Sequence, residues 1–302
     1  MLSACFMHSV RAQDLAPRAY VITPVHSNAA VFIWSFFDGD IVVNGSVPVT
    51  GATGTYHVPI FSYYHSVNFF GRSANITGAL PYAVGNFKGT VLGAEQNLYR
   101  SGLADSSFRF AVNLKGGPAM APREFARWRQ KVLLGASLKV VAPTGQYDPA
   151  KLINWGGNRW AFKPEFGYSE RWGKWVLDGY MGVWFFTTNH DFFSRNAFFP
   201  GTRSQSQSPI GSFEGHLSYD VKPRLWLSLD GNFWFGGKTK IDGVENPLSQ
   251  QRSSRVGVTG SFPFGKHLSM KASYSNGAYI RFGGDYQNVS LALQYSWIGR
   301  PE

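Results

Sequence analysis

The chain has 302 residues, of which 34 are glycine and 16% are aromatic, while only 16% are charged and the formal net charge is +11. It contains no run of about 18 uncharged apolar residues, which excludes a transmembrane helix. The single cysteine, Cys5, excludes internal disulfides, thiolate metal clusters and a cysteine nucleophile in the folded part.

The first residues resemble the end of a secretory signal. Val10, Arg11 and Ala12 precede Gln13 in a small-x-small pattern, but the apolar part is short and lacks a basic start. We interpret residues 1–12 as a residual or truncated signal segment.

Apolar and polar side chains then alternate with a period of two, which predicts β-strands with two unlike faces. The last predicted strand, for example, sets Val289, Leu291 and Leu293 against Ser290 and Gln294. In chain order, about twelve strands are predicted near 28–38, 56–67, 73–82, 106–115, 130–142, 159–170, 174–186, 209–221, 224–236, 252–264, 267–279 and 286–297.

The connections alternate between long and short, which is typical of a transmembrane barrel with short periplasmic turns and long external loops. Strands of about 11 to 13 residues at roughly 3.3 Å each also cover a tilted path through a hydrocarbon layer of about 25 Å. The prediction is an all-β fold: a single antiparallel transmembrane β-barrel of about 12 strands in the bacterial outer membrane, with lipid as its partner. The barrel would span 28–302, and residues 13–27 would form an N-terminal periplasmic segment.

Two further features fit this barrel. The spacing of Phe125 and Trp128 after Pro122 predicts a short amphipathic helix on the periplasmic side. Aromatic residues near strand ends suggest interfacial girdles; they are Trp160, Phe162, Trp172, Trp175, Trp184, Phe185, Phe186, Tyr219, Trp226, Trp234, Tyr295 and Trp297.

Inward-facing positions carry most of the predicted function. Basic residues among them outnumber acidic ones, and a positive pore favours anions. For any one basic residue, a salt bridge across the barrel or a contact with lipid phosphate is the alternative. Nucleic-acid binding is disfavoured because the basic residues are dispersed. The predicted lumen-lining residues are Arg109, Lys139, Lys163, Glu165, Asp178, Glu214, His216, Asp230, Arg255 and Lys271.

The loop at 143–158 brings hydrogen-bonding groups to one rim. It folds inward as a gate, or it is a rigid external loop held by its own Asp and Asn turn bonds; both interpretations stay open. The candidate gate residues are Tyr147, Asp148, Asn154, Asn158 and Arg159.

Several long stretches resemble a known family. They include FFGRSANITGALPYA (69–83), SGLADSSFRFAVNLKGGPAM (101–120) and PTGQYDPAKLINWGGNRWAFKPE (143–165). The chain is similar there to the bacterial outer-membrane family of MetA-pathway phenol-degradation transporters. The resemblance implies a barrel that takes up small, often aromatic, molecules. No cofactor is predicted.

The expected function is therefore an outer-membrane channel for small molecules, aromatic or hydrophobic and anionic, through a basic-biased lumen. An enzymatic alternative is a Ser/His hydrolase or acyl-transfer barrel, since His216 shares a predicted inward face with Ser212 and Ser218, and His57 and His65 share another. Residues two apart on a strand lie about 6 to 7 Å apart, too far for a direct bond. A second alternative is a structural barrel plugged by inward tryptophans. No metal site is predicted, and the substrate and the oligomeric state stay open.

Overall fold

The computed structural model describes residues 16–42, 49–91 and 93–299. The predicted signal segment 1–12, with Cys5, lies outside the described residues, as do residues 13–15 of the predicted periplasmic segment. Within the described ranges, no helix is long and apolar enough to cross a membrane.

The regular secondary structure of the described residues is almost entirely β-strand. The strands are β1 (Ser27–Val42), β2 (Val49–Phe69), β3 (Arg72–Val91), β4 (Ala94–Leu103), β5 (Ser107–Lys115), β6 (Val132–Val141), β7 (Ala161–Trp172), β8 (Trp175–Phe186), β9 (Gln205–Gln207), β10 (Ile210–Lys222), β11 (Leu225–Gly236), β12 (Thr239–Ile241), β13 (Val244–Asn246), β14 (Gln251–Phe264), β15 (Leu268–Tyr279) and β16 (Gly283–Ile298). The helices are α1 (Pro122–Arg127) and a 3-10 turn at Pro247–Ser249.

Twelve of these strands form one closed antiparallel barrel, as predicted. Each pairs with the next along the ring β1, β2, β3, β5, β6, β7, β8, β10, β11, β14, β15, β16, and β16 returns to β1. The closing register runs from Ser27 opposite Ile298 to Val42 opposite Gly283. Closure leaves no barrel strand with an unpaired edge in lipid, which is what a membrane-spanning sheet requires.

The two ends of the barrel differ. One end, here called the turn end, carries the two-residue turns between β2 and β3, β7 and β8, and β10 and β11, and also β1's start and β16's end. The opposite loop end carries the long connections, including those from β6 to β7 and from β8 to β10. This asymmetry confirms the predicted arrangement, and it assigns the turn end to the periplasm.

Several strands extend further than the sequence suggested. β2 has 21 residues and β3 has 20, and β3 continues into a hairpin with β4 in a stretch predicted to be a loop. β4 and β5 together follow β3 back down, with an interruption between Leu103 and Ser107. At the loop end, β9, β12 and β13 form a separate small sheet.

Side chains alternate between the lipid face and the lumen along each strand. On β11, Leu229 is 64% exposed, whereas its neighbours Ser228 and Asp230 are buried. Trp172 and Trp175 are exposed on the outside near the turn end, where they fit an interfacial girdle. The girdle assignment is wrong for Trp184, Trp226 and Trp234, because all three are buried inward-facing residues. It is also wrong for Phe186, which points inward and stacks with Trp184.

The predicted amphipathic helix is present as α1 at the turn end. Its Phe125 ring stacks with Trp128 at 6.0 Å, and both pack against Ile22, Met120 and Leu133.

Candidate channel lumen and its constrictions

An N-terminal segment, residues 16–26 and here called the strap, crosses the lumen near the turn end. It leaves β1 at the rim, where Thr23 bonds to the inward Tyr64 of β2 at 2.8 Å. It then passes over β6 and β7 and reaches β8, where the Arg18 backbone N–H donates to Asp178 at 3.1 Å. The Arg18 guanidinium pairs with Asp220 of β10 at 2.8 Å and lies 4.5 Å from the Trp226 ring.

Tyr20 anchors the middle of the strap. Its ring lies on two glycines that face each other across β6 and β7, Gly135 and Gly167. A Cβ at either position would overlap the ring, so only glycine makes room for it. The Tyr20 hydroxyl lies 2.9 Å from Ser137 and 3.0 Å from the Glu165 carboxylate. The strap is therefore seated in a fitted site on the wall.

A belt of charged side chains lines the lumen above the strap. Lys163 lies at its centre, 2.7 Å from Glu165 and 2.9 Å from Glu214. Arg109 approaches Glu165 from β5 at 3.5 Å. Because the Glu165 and Glu214 side chains are only 9% and 3% exposed, Lys163 is needed to compensate their charge in the folded barrel.

The belt continues through His216, whose Nδ1 lies 2.8 Å from Asp230. Asp230 also accepts hydrogen bonds from Ser228 at 2.7 Å and Thr259 at 2.6 Å. His216 Nε2 lies 3.7 Å from Glu214. The imidazole is thus enclosed by carboxylates, an arrangement that differs from a nucleophile beside a general base.

The other predicted lumen residues are placed around this belt. Lys139 lies opposite Lys163 on β6, and the Nζ atoms of both lie 5.7 Å from the Trp184 ring. Arg255 is buried and donates to Ser275 and to the Tyr286 carbonyl. Lys271 points inward from β15 but is exposed, so it faces open space in the lumen.

That open space has an apolar wall on the side of β1 and β2. Val31 and Ile33 of β1, and Val58 and Ile60 of β2, point inward and are only partly buried. By contrast, the inward side chains of β8, β10 and β11 are buried. The lumen therefore has a filled, charged side and an open, largely apolar side.

The loop between β6 and β7 constricts the loop end. Trp155 and Ile153 at its tip pack across the lumen against Tyr56, Phe87 and Tyr286 on the far wall. The Trp155 ring lies 5.7 Å from that of Tyr56 and 5.8 Å from that of Phe87.

The same loop is also held by its own turn bonds. The Asp148 backbone N–H donates to Asn154 at 2.9 Å, and Asn154 donates back to the Asp148 carbonyl at 3.0 Å. Lys151 bonds to the Asp148 carboxylate at 2.8 Å, and this bond holds the pKa of Asp148 below its usual value. Both interpretations of the loop thus describe part of its geometry: it is internally braced, and it folds inward.

The remaining candidate gate residues tie the loop to its neighbours. Tyr147 donates to the Asp191 carbonyl at 2.9 Å, and burial raises its pKa. Asn158 donates to Asn189 at 3.0 Å. Arg159 is buried, bonds to Gln207 and lies 4.5 Å from the Phe186 ring.

Sequence reasoning missed the strap and its contacts. Arg18, Tyr20 and Asp220 were not among the candidates, and Trp155 was not recognised as the tip of the constriction. The expectation that His57 and His65 share an inward face is wrong for both, because they lie on the outer face of β2. His57 stacks with Trp34 and Phe36, and His65 lies 2.7 Å from Asn28.

The closed ring of twelve strands, with a lipid-facing apolar surface and a lumen constricted at both ends, defines a small outer-membrane β-barrel. Residues 38–299 match the family described as "Putative MetA-pathway of phenol degradation", and the chain belongs to this family. No curated protein matches the sequence.

Solved structures share the fold. An outer-membrane channel from Pseudomonas putida F1 is similar with a TM-score of 0.75 at 18% identity, over 94% of this chain and 100% of that one. The β domain of the Bordetella autotransporter BrkA gives a TM-score of 0.51 at 11% identity, over 90% of this chain and 100% of that one. The transport unit of the Escherichia coli autotransporter AIDA-I gives 0.51 at 11% identity, over 97% and 95%.

Proposed function

We propose that the protein is a gated outer-membrane channel for small molecules that combine an apolar body with one anionic group. Its path runs along the open side of the lumen, past Val31, Ile33, Val58 and Ile60, and it meets a positive charge at Lys271. The family description, which refers to phenol degradation, supports small aromatic molecules as the substrates.

The observation that carries the proposal is the contrast between Lys271 and Lys163. Lys163 is buried between two carboxylates and contributes no free charge to the lumen. Lys271 is exposed on the open side, and within the described residues no hydrogen bond or ion pair holds it. It lies 5.7 Å from the Trp226 ring. An unpaired ammonium beside an aromatic ring and an apolar wall suits an aromatic carboxylate or phenolate.

Passage also requires the constrictions to move. The strap narrows the exit at the turn end, and the loop tip at Trp155 narrows the entrance at the loop end. Both are connecting segments with one free side, whereas the barrel wall is a continuous hydrogen-bonded ring. We infer that displacement of these two segments opens the channel while the wall stays fixed.

The test is conductance of the refolded full chain in a planar bilayer, with gradients of sodium benzoate to obtain the benzoate-to-sodium permeability ratio. We expect Lys271→Gln to lower this ratio about fivefold, the effect of one charge interaction of about 1 kcal/mol in water. Lys240→Gln, at an exposed site in β12, is the matched control and should leave the ratio unchanged.

Uncharged benzyl alcohol separates passage along the apolar wall from the attraction of an anionic group by Lys271. Its uptake into proteoliposomes should be the same for wild type and Lys271→Gln, because the apolar wall is intact. Equal benzoate ratios in wild type and Lys271→Gln would refute the anionic-group assignment. A folded, inserted protein that passes neither compound would instead be a permanently plugged structural barrel.

A further inference from the structure

The net positive charge of the chain is concentrated at the turn end. The turns and strand ends there carry eleven Lys and Arg residues against three Asp and Glu residues, within the segments 69–72, 115–131, 170–174, 220–224 and 264–267. We call these basic residues the collar. The lumen contributes little to the imbalance, because its basic residues Arg18, Arg109, Lys139, Lys163, Arg255 and Lys271 stand against the acidic residues Glu165, Asp178, Glu214 and Asp230.

The loop end is nearly balanced by comparison. It carries ten Lys and Arg residues against nine Asp and Glu residues, within the described segments 38–42, 86–91, 93–105, 142–160, 186–209, 236–252 and 280–286. Several of these charges are already paired, as Lys238 is with Glu245 and Arg203 with Asp242. The collar is therefore a property of one end of the barrel and not of its surface as a whole.

Part of the collar is occupied by structural contacts. Arg224 donates to the backbone carbonyls of Gly265 and Lys266, and Arg171 pairs with Asp220. The side chains of six members are exposed and make no hydrogen bond, ion pair or ring contact with another described residue. They are Lys115, Arg123, Arg127, Lys131, Lys222 and Lys266.

The position of the collar identifies the kind of partner it fits. It lies just beyond the outer aromatic residues Trp172 and Trp175, which mark the interface between hydrocarbon and headgroups. Helix α1 adds two exposed arginines, Arg123 and Arg127, at the same end, while Phe125 and the following Trp128 pack inward against Ile22 and Leu133. Basic side chains at this depth reach lipid phosphates.

We propose that the collar binds the headgroups of anionic phospholipids, such as phosphatidylglycerol, in the leaflet that faces the periplasm. Each unpaired collar residue supplies a cation at the depth of the phosphate. The ring-like distribution favours an annulus of anionic lipid around the turn end, which would hold the barrel at a fixed depth. If the collar instead bound a periplasmic protein, lipids around the turn end would show no preference for an anionic headgroup.

The test is the association of spin-labelled lipids with the refolded full chain in phosphatidylcholine bilayers, measured as the motionally restricted fraction. We expect labelled phosphatidylglycerol to be preferred over labelled phosphatidylcholine by about fivefold at a collar contact, which is about 1 kcal/mol. The preference should fall towards unity in about 1 M salt, where charges are screened beyond roughly 3 Å.

Two triple variants with the same change in net charge locate the effect. The collar variant Arg127→Gln, Lys222→Gln, Lys266→Gln should lose most of the preference. The loop-end variant Lys88→Gln, Lys240→Gln, Arg252→Gln should keep it. The proposal is overturned if wild type shows no preference for the anionic lipid, or if both triple variants lose it equally.

Discussion

Closing the space under Tyr20 should release the strap from the wall without altering the strap itself. In Gly167→Ala the new Cβ would lie 2.8 Å from Tyr20 Cζ and nearer still to other ring atoms. Carbon atoms in contact keep about 3.5 Å apart, so the ring must retreat by roughly 1 Å. It cannot slide sideways, because Tyr180 packs at 5.3 Å on one side and the Arg109 guanidinium lies 4.8 Å away on another.

The expected free-energy cost of Gly167→Ala follows from the contacts that the Tyr20 ring loses. Overpacking a fitted site costs about 1–3 kcal/mol, and a displaced hydroxyl also loses its bonds to Ser137 and Glu165. A shift of about 1–3 kcal/mol raises the population of released strap about 5- to 150-fold. Mean conductance in a planar bilayer should rise, and trypsin should cleave faster after Arg18, as read by mass spectrometry of the N-terminal fragment.

Gly179→Ala is the matched control, since a Cβ there meets nothing within 4 Å. It should leave conductance and cleavage at Arg18 at wild-type values. If Gly167→Ala inserts normally and still shows wild-type conductance and an uncleaved strap, Tyr20 does not hold the strap and the reasoning fails.

Three further changes probe the constrictions and the belt. Trp155→Ala should widen the loop-end entrance and raise single-channel conductance, at a cost of about 3–5 kcal/mol in the free energy of unfolding measured with urea; unchanged conductance would show that this tip does not narrow the path. Lys163→Met should lower the free energy of unfolding by about 3–5 kcal/mol, since it removes the ammonium that the largely buried carboxylates of Glu165 and Glu214 share, and wild-type stability would contradict this pairing. Asp220→Asn should speed tryptic cleavage after Arg18, because it removes the ion pair that holds that end of the strap. At about 1 M salt this ion pair is already screened in the wild type, so the difference in cleavage rate between Asp220→Asn and wild type should shrink.

The barrel was predictable because its physical cause is local. Residues two apart on a strand meet the same solvent, so Leu227 and Leu229 on the lipid face of β11 alternate with Ser228 and Asp230 in the lumen. Beyond the membrane this contrast ends. β3 continues past the predicted end at residue 82, because backbone pairing with β2 and β4 persists there.

The interior was less predictable because its contacts are distant in sequence. Lys163 and Glu214 are 51 residues apart, and their contact depends on a register that no single strand specifies. The strap has no periodicity to mark it, and the fit of Tyr20 depends on glycines more than 100 residues away. From sequence, Gly135 and Gly167 are merely small residues on a lumen face.

The strap also has a mechanical consequence. Its contacts follow one another along the chain, from Arg18 through Tyr20 to Thr23, and the segment joins the barrel only at β1. A force that pulls on the chain ahead of Arg18 would break these contacts one after another. The barrel strands, by contrast, would share any load across many hydrogen bonds. The strap is thus the part of the molecule that yields to a small force, and it can do so with the wall intact.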